Sequence, residues 1–125
     1  MDKKVKVNAS ILIIGNEILS GRTQDTNTST LAIWLNSIGV SVAEVRVIPD
    51  VEETIVYTLN LLRSTYDYVF TTGGIGPTHD DITAQSVSKA FGIKYEVHKE
   101  AFKILEAYYQ PGEFNEGRQK MAWMP

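Results

Sequence analysis

The sequence predicts an α/β protein with a mainly parallel sheet covered by helices on both faces. Short apolar or β-branched runs alternate with segments of helical spacing in the order β-α-β-α-β-α-β-α. The helical segments are long enough to return the chain beside its previous strand, which right-handed crossovers of parallel strands require. Glycine or proline closes most of the segments, at Gly15, Gly39, Pro49, Gly73 and Gly92.

Val5 to Ile14 is rich in β-branched residues and ends at Gly15, so it reads as a buried first strand. Leu31, Leu35 and Ile38 stand at i, i+4 and i+7 and mark a helix from about Asn27 to Ser37, with Gly39 at its C-terminal cap. Val40 to Ile48 alternates valine with polar residues and stops at Pro49 as a second strand. Val51, Ile55, Leu59 and Leu62 repeat the helical stripe, and Asp67 to Thr72 forms a third strand. Ala84, Val87, Ala90 and Phe91 define a third helix ending at Gly92. Ile93 to Val97 reads as a short fourth strand, and Phe102, Leu105 and Tyr109 mark a fourth helix.

Composition narrows the function classes. The 125 residues make one domain, large enough to bury a core. With 43% hydrophobic and 22% charged residues the chain has an ordinary globular make-up. A net charge of −3 argues against a nucleic-acid partner, and the basic start Lys3-Lys4-Val5-Lys6 is too small to reverse that. The absence of cysteine removes disulfides, thiolate metal sites and thiol nucleophiles. Ile11 to Ile14 is too short for a membrane span or a signal-peptide core, so the expectation is no membrane partner and a cytoplasmic location.

The densest chemistry lies in Thr71-Thr72-Gly73-Gly74-Ile75-Gly76-Pro77-Thr78-His79-Asp80-Asp81-Ile82-Thr83, directly after the third strand. Three glycines within four residues let a backbone approach a ligand closely, and two carboxylates follow where a helix should begin. Bare N–H groups beside negative charge suit a small phosphorylated ligand held through a divalent cation. The run lacks the Gly-Lys-Ser/Thr ending of a Walker loop, and it lacks the third glycine of a dinucleotide fingerprint. Ligands of parallel sheets bind outside the carboxyl ends of the strands. That topology brings the loops Gly15-Asn16-Glu17, Pro49-Asp50 and Gly73 to Asp81 to one edge, with Glu17, Asp50, Asp80 and Asp81 as a single acidic site.

Plainer readings stand beside these. Thr78 with Asp81 fits a capping box at the next helix, and Asp50-Val51-Glu52-Glu53 fits another, so spacing alone makes Asp50 a helix cap. Glu17 has no obvious helix to cap and would face solvent or a ligand. His79 adjoins two carboxylates but has no partner at metal-ligand spacing, and His98 stands without any constellation. Gly21 to Thr28 is a polar loop before a helix capped by Asn27, with Arg22 as a phosphate contact.

Gly15-Asn16-Glu17-Ile18-Leu19-Ser20-Gly21, Asp25-Thr26-Asn27, Val47-Ile48-Pro49-Asp50 and Thr72 to Thr83 occur in an order that resembles the molybdopterin-binding domain family. The competence/damage-inducible protein A (CinA-like) branch is the nearest in pattern. Phe114 to Pro125 is similar to the Asn-x-x-Arg-x-x-Met-Ala-x-x-Pro pattern of that branch. The resemblance implies a three-layer α/β/α fold with a pocket for molybdopterin or an adenylated form of it. It places Gly73, Gly74 and Gly76 at the phosphate; Pro77, Thr78, Asp80, Gly15 and Glu17, from the same post-strand loops, are further candidate ligand-binding residues. It makes Asp81 and Asp50 the catalytic or metal-holding acids, with Mg²⁺ or another divalent cation as cofactor, and so raises Asp50 above a cap.

The same fold, in the CinA-like branch and in some FAD synthetases, is associated with metal-dependent cleavage of pyrophosphates such as ADP-ribose or FAD. A binding domain is therefore one expectation, and a metal-dependent pyrophosphatase with His79 or Glu17 as base is the alternative. An interaction module without a small ligand is a third. The resemblance also implies a homo-oligomer, dimer or trimer. Family members continue past the equivalent of Met124-Pro125, so the expectation is a single domain over residues 1–125 that is incomplete at its C-terminus.

Overall fold

A computed structural model describes residues 6–125. The elements are β1 (Val7–Ile14), α1 (Asn16–Leu19), α2 (Asn27–Ser37), β2 (Val40–Ile48), α3 (Glu52–Thr65) and β3 (Tyr68–Thr72), followed by α4 (Thr83–Phe91), β4 (Glu96–Val97), α5 (Lys99–Tyr108), α6 (Glu116–Lys120) and β5 (Trp123–Met124). The first strand was expected from Val5; that residue, with Lys3 and Lys4, lies outside the described residues. Among the described residues no helix is long and apolar enough to cross a membrane.

β1 is the middle of a parallel three-stranded sheet ordered β2-β1-β3. A central strand is covered on both faces, which is why its sequence runs apolar without alternation. Ala9 to Ile14 are all buried, whereas the edge strand β2 alternates between half-buried and exposed positions. Leu12 and Ile14 pack with Ile48 of β2, with Ile55, Leu59 and Leu62 of α3, and with Ala90 of α4. Ile11 and Ile13 point to the opposite face. There α2 packs against β2 and buries Leu35. The α/β class and the parallel sheet are as expected.

The fourth strand is not. Gly92, with φ 65°, closes α4 in a Schellman arrangement, its N–H donating to the Lys89 carbonyl while the Ile93 N–H donates to Ser88. The residues after Gly92 therefore begin as a helix terminus. Only Glu96–Val97 become extended, and they pair antiparallel with Trp123–Met124 in a separate two-stranded sheet. Two short helices, α1 and α6, carry no periodicity that a sequence reading could detect.

Candidate functional site

The carboxyl ends of β1, β2 and β3 lead into the three expected loops, and backbone contacts tie those loops together. The Gly15 N–H donates to the Ile48 carbonyl at 3.0 Å, joining the first loop to the second. Gly73 has φ 89°, and a Cβ there would lie 2.0 Å from the Ile14 carbonyl oxygen. Gly74 has φ 68°, with its missing Cβ 2.2 Å from the Thr83 hydroxyl. Thr83, buried at the start of α4, donates its N–H to Gly74 at 3.0 Å and its hydroxyl to Gly73 at 2.8 Å. Both glycines are thus required by the protein's own packing, independently of any ligand.

The acids sit differently from helix caps. α4 begins only at Thr83, so Thr78 and Asp81 close a turn of their own instead of the expected capping box. The Asp81 N–H donates to the Thr78 carbonyl at 3.1 Å. One Asp81 carboxylate oxygen accepts the Thr78 N–H at 2.9 Å and the Thr78 hydroxyl at 2.8 Å. α3 has Val51 at its N-cap position and no side-chain cap, which leaves Asp50 outside that role. Glu17 lies on the one-turn helix α1, which the sequence reading did not anticipate. Thr26, not Asn27, stands at the N-cap position of α2, and Asp25 before it accepts the Asn27 N–H at 3.0 Å and the Thr28 N–H at 3.4 Å.

A cavity of about 450 Å³ opens between these loops, lined by Ile14, Asn16, Glu17, Arg22, Asp50, Gly74, His79, Asp80, Asp81 and Ile82. Of the expected site residues it gathers Glu17, Asp50, Gly74, Asp80 and Asp81 on one wall system, with Arg22 and His79. Gly15, Gly73, Gly76, Pro77 and Thr78 do not line it. Gly15, Gly73 and Thr78 stitch and shape the loops around it, Gly76 lines an adjoining cavity of about 260 Å³ that shares Gly74 and Asp81 with it, and Pro77 packs its carbonyl against Gly117. His79 is almost fully exposed, its Nε2 standing 3.4 Å from the Asp80 carboxylate.

Electrostatics separate the two central acids. Burial pushes the Asp50 carboxyl above its ordinary value, the Glu17 charge adds to this, a hydrogen bond from the Asn16 backbone partly offsets it, and Asp81 and Asp80 raise it further. Burial also pushes Asp81 upward. There the Thr78 hydroxyl, the backbone donors of Thr78 and Gly76 and the Lys120 charge together prevail and hold it below its ordinary value. The cavity therefore carries negative charge that its own donors neutralise at Asp81 but not at Asp50.

Among the described residues no three His, Cys, Asp or Glu side chains are arranged to hold a metal ion. Asp50 and Asp81 nevertheless face the same space, and the uncompensated charge at Asp50 is what a cation relieves. Asp50 and Asp81 are the two residues that could hold an ion such as Mg²⁺, which commonly takes one or two carboxylates and completes its shell with water and substrate phosphate. Asn16 and Lys120 were missed by the sequence reading as site residues. The signal for Asn16 was its place beside Glu17, and for Lys120 only its position inside the Phe114 to Pro125 pattern.

The sequence profile of a family described as "Probable molybdopterin binding domain" matches residues 10–124. A protein of Pyrobaculum calidifontis is 43% identical over 119 residues, covering 94% of this chain and 45% of the relative. One of Sulfurisphaera tokodaii is 41% identical over 120 residues, covering 94% and 46% respectively. The chain thus spans about half the length of the curated relatives it matches. Among solved structures, the protein CinA from Thermoplasma acidophilum, described as having unknown function, is similar with a TM-score of 0.88 at 32% identity, over 94% of this chain and 70% of that one. The tungsten cofactor synthesizing protein MoaB from Pyrococcus furiosus shares the fold with a TM-score of 0.62 at 18% identity, over 97% of this chain and 71% of that one.

Proposed function

This chain belongs to the probable molybdopterin-binding domain family, in its CinA-like branch, and from that premise we propose that its acidic cavity binds molybdopterin or a related phosphorylated, nucleotide-like ligand. The observation that carries the reading is the convergence of Glu17, Asp50, Asp80 and Asp81 with Arg22 around one cavity of about 450 Å³ at the carboxyl edge of the parallel sheet. Acids alone would repel a phosphate. Arg22 supplies a guanidinium for it, and Asp50 with Asp81 would hold a divalent cation that bridges carboxylate to phosphate. Gly74 lines the same wall, so its backbone is within the ligand's reach.

A second reading is a metal-dependent pyrophosphatase acting on ADP-ribose or FAD. It is favoured by Glu17 and His79 lining the same cavity as Asp50 and Asp81, which puts proton acceptors beside the acids. A bound divalent ion supplies polarisation of the phosphoryl oxygen and a lowered pKa for water. With ADP-ribose, water oxygen would attack one phosphorus, the bridging P–O bond would break, and AMP and ribose 5-phosphate would leave. Glu17 or His79 would take the proton from the water, and Arg22 would hold the phosphate left behind.

One experiment separates the readings. The chain is incubated with ADP-ribose or FAD and with Mg²⁺ or Mn²⁺, beside Asp81→Asn, and the products are resolved by chromatography. AMP formed only with metal and only with Asp81 intact supports the pyrophosphatase. Ligand-dependent thermal stabilisation without AMP, lost in Asp81→Asn, supports binding alone. Absence of both signals overturns the pyrophosphatase reading and excludes ADP-ribose and FAD as ligands of this chain.

A further inference from the structure

The turn that carries Asp80 and Asp81 is held from a distant part of the chain. Lys120, the last residue of α6, donates its ammonium to the Thr78 carbonyl at 2.6 Å and also to the Asp81 carbonyl. These are the first and last residues of the acid turn, separated from Lys120 by 42 and 39 positions. Among the described residues no carboxylate lies within ion-pair distance of this ammonium. A lysine on a surface would ordinarily keep its charge in water; this one spends its donors on two backbone oxygens.

A second contact from the same segment meets the same turn. Gly117, on α6, packs so closely on the Pro77 carbonyl that a Cβ would lie 2.5 Å from its oxygen. The segment itself is anchored. The Asn115 side chain caps α6 by accepting the Arg118 N–H at 3.0 Å, and the Arg118 guanidinium donates to the Glu113 carbonyl at 2.6 Å. Arg118 also lies 4.5 Å over the Tyr109 ring. α6 is therefore a braced platform that touches the acid turn at Pro77, Thr78 and Asp81.

We propose that Lys120 is a positioning residue for the acidic site, fixing the Thr78–Asp81 turn in the shape that sets Asp80 and Asp81 along the cavity wall. This rests on the ligand-binding reading for its consequence, though not for its geometry. Lys120 need not touch the ligand in the cavity, whose lining does not include it. Its effect is transmitted through the two carbonyls it holds, and to a smaller extent through its charge on the Asp81 carboxylate. Removing the donors leaves the Thr78 to Asp81 hydrogen bonds formed but lets the turn move as a unit against the sheet.

The test uses the full chain and three variants, Lys120→Met, Lys120→Arg and Gly117→Ala. Backbone amide shifts and hydrogen exchange are recorded without ligand, and ADP-ribose with Mg²⁺ is titrated by calorimetry. Lys120→Met should shift the amides of residues 77–81 while those of β1 and α3 hold, and should weaken ADP-ribose binding by about tenfold, the scale of lost outer-shell support. Lys120→Arg should recover part of the affinity, which a merely structural lysine would not require. Gly117→Ala should move the same amides by pushing on Pro77. Unmoved amides of residues 77–81 in Lys120→Met overturn the proposal. Moved amides with unchanged affinity overturn it too, leaving Lys120 a structural brace. If the parent chain binds no ADP-ribose, that ligand is excluded separately, and the amides of Lys120→Met decide whether the clamp stands.

Discussion

One carboxylate oxygen of Asp81 accepts both the N–H and the hydroxyl of Thr78, at 2.9 and 2.8 Å. Two donors on one oxygen close the four-residue turn from Thr78 to Asp81, and the Gly76 backbone adds a further donor to the same carboxylate. Thr78 thus does for Asp81 what a helix terminus would have done, without a helix.

Thr78→Val keeps the β-branched shape and removes the hydroxyl donor. Net stability should fall by about 1 kcal/mol at pH 7, the usual worth of one such bond. Asp81 titrates below its ordinary 3.8, so its hydrogen bonds stabilise the fold above that value and are lost as pH falls through the folded value. Urea unfolding of parent and variant should therefore differ at pH 7 and converge well below pH 3.8. A constant difference at both pH values would show that the hydroxyl acts through packing.

Asp50 has the opposite sign. Burial and the Glu17 charge lift its folded value above 3.8, so the folded chain holds more proton than the unfolded one between the two values. Its contribution to stability is most favourable below 3.8 and declines as pH rises through the folded value. Asp50→Asn should raise Tm at pH 7 and leave it nearly unchanged at pH 3. Mg²⁺ should raise the Tm of the parent at pH 7 more than that of Asp50→Asn. An equal Mg²⁺ effect on both would take Asp50 out of any cation site.

The acidic cavity was legible because topology is. A parallel sheet sends every post-strand loop to one edge, so Glu17, Asp50 and Asp81 could be brought together from positions far apart in sequence. What local pattern got wrong was capping. Asp50-Val51-Glu52-Glu53 reads as a capping box with Asp50 as the cap, but the backbone puts Val51 at that position with no side-chain cap. The partner of Ile93–Val97 was illegible for another reason. β-propensity marks a segment as extended without saying what it pairs with, and the Schellman closure at Gly92 consumed its first residue. Lys120 left no local trace, since its role depends on a contact across 42 positions.

Gly73 and Gly39 have the same φ of 89° but different surroundings. At Gly39 a Cβ meets nothing within 4 Å, whereas at Gly73 it would sit 2.0 Å from the Ile14 carbonyl oxygen. Gly39→Ala should cost about 1–2 kcal/mol for the left-handed backbone alone. Gly73→Ala adds a clash with a central strand, and the total should reach about 3 kcal/mol or more. Chemical denaturation of the two variants separates conformational from steric cost. If they unfold alike, the loop after β3 can withdraw from β1 without loss, and the close approach is not needed for folding.

On α2, Leu35 is 1% exposed and Ile33 is 71% exposed, two positions apart on the same helix. Their hydrophobicity is similar, so burial decides what each contributes. Leu35→Ala should cost about 2–5 kcal/mol, because the side chain is buried where α2 packs against β2. Ile33→Ala should change stability by no more than about 0.5 kcal/mol, since alanine's better helix propensity offsets the little packing that is lost. Urea midpoints measured over a range of protein concentrations test this directly. A large, concentration-dependent loss for Ile33→Ala would mean that the exposed part of α2, which also carries Trp34 and is followed by exposed Ile38, is covered by another molecule in solution.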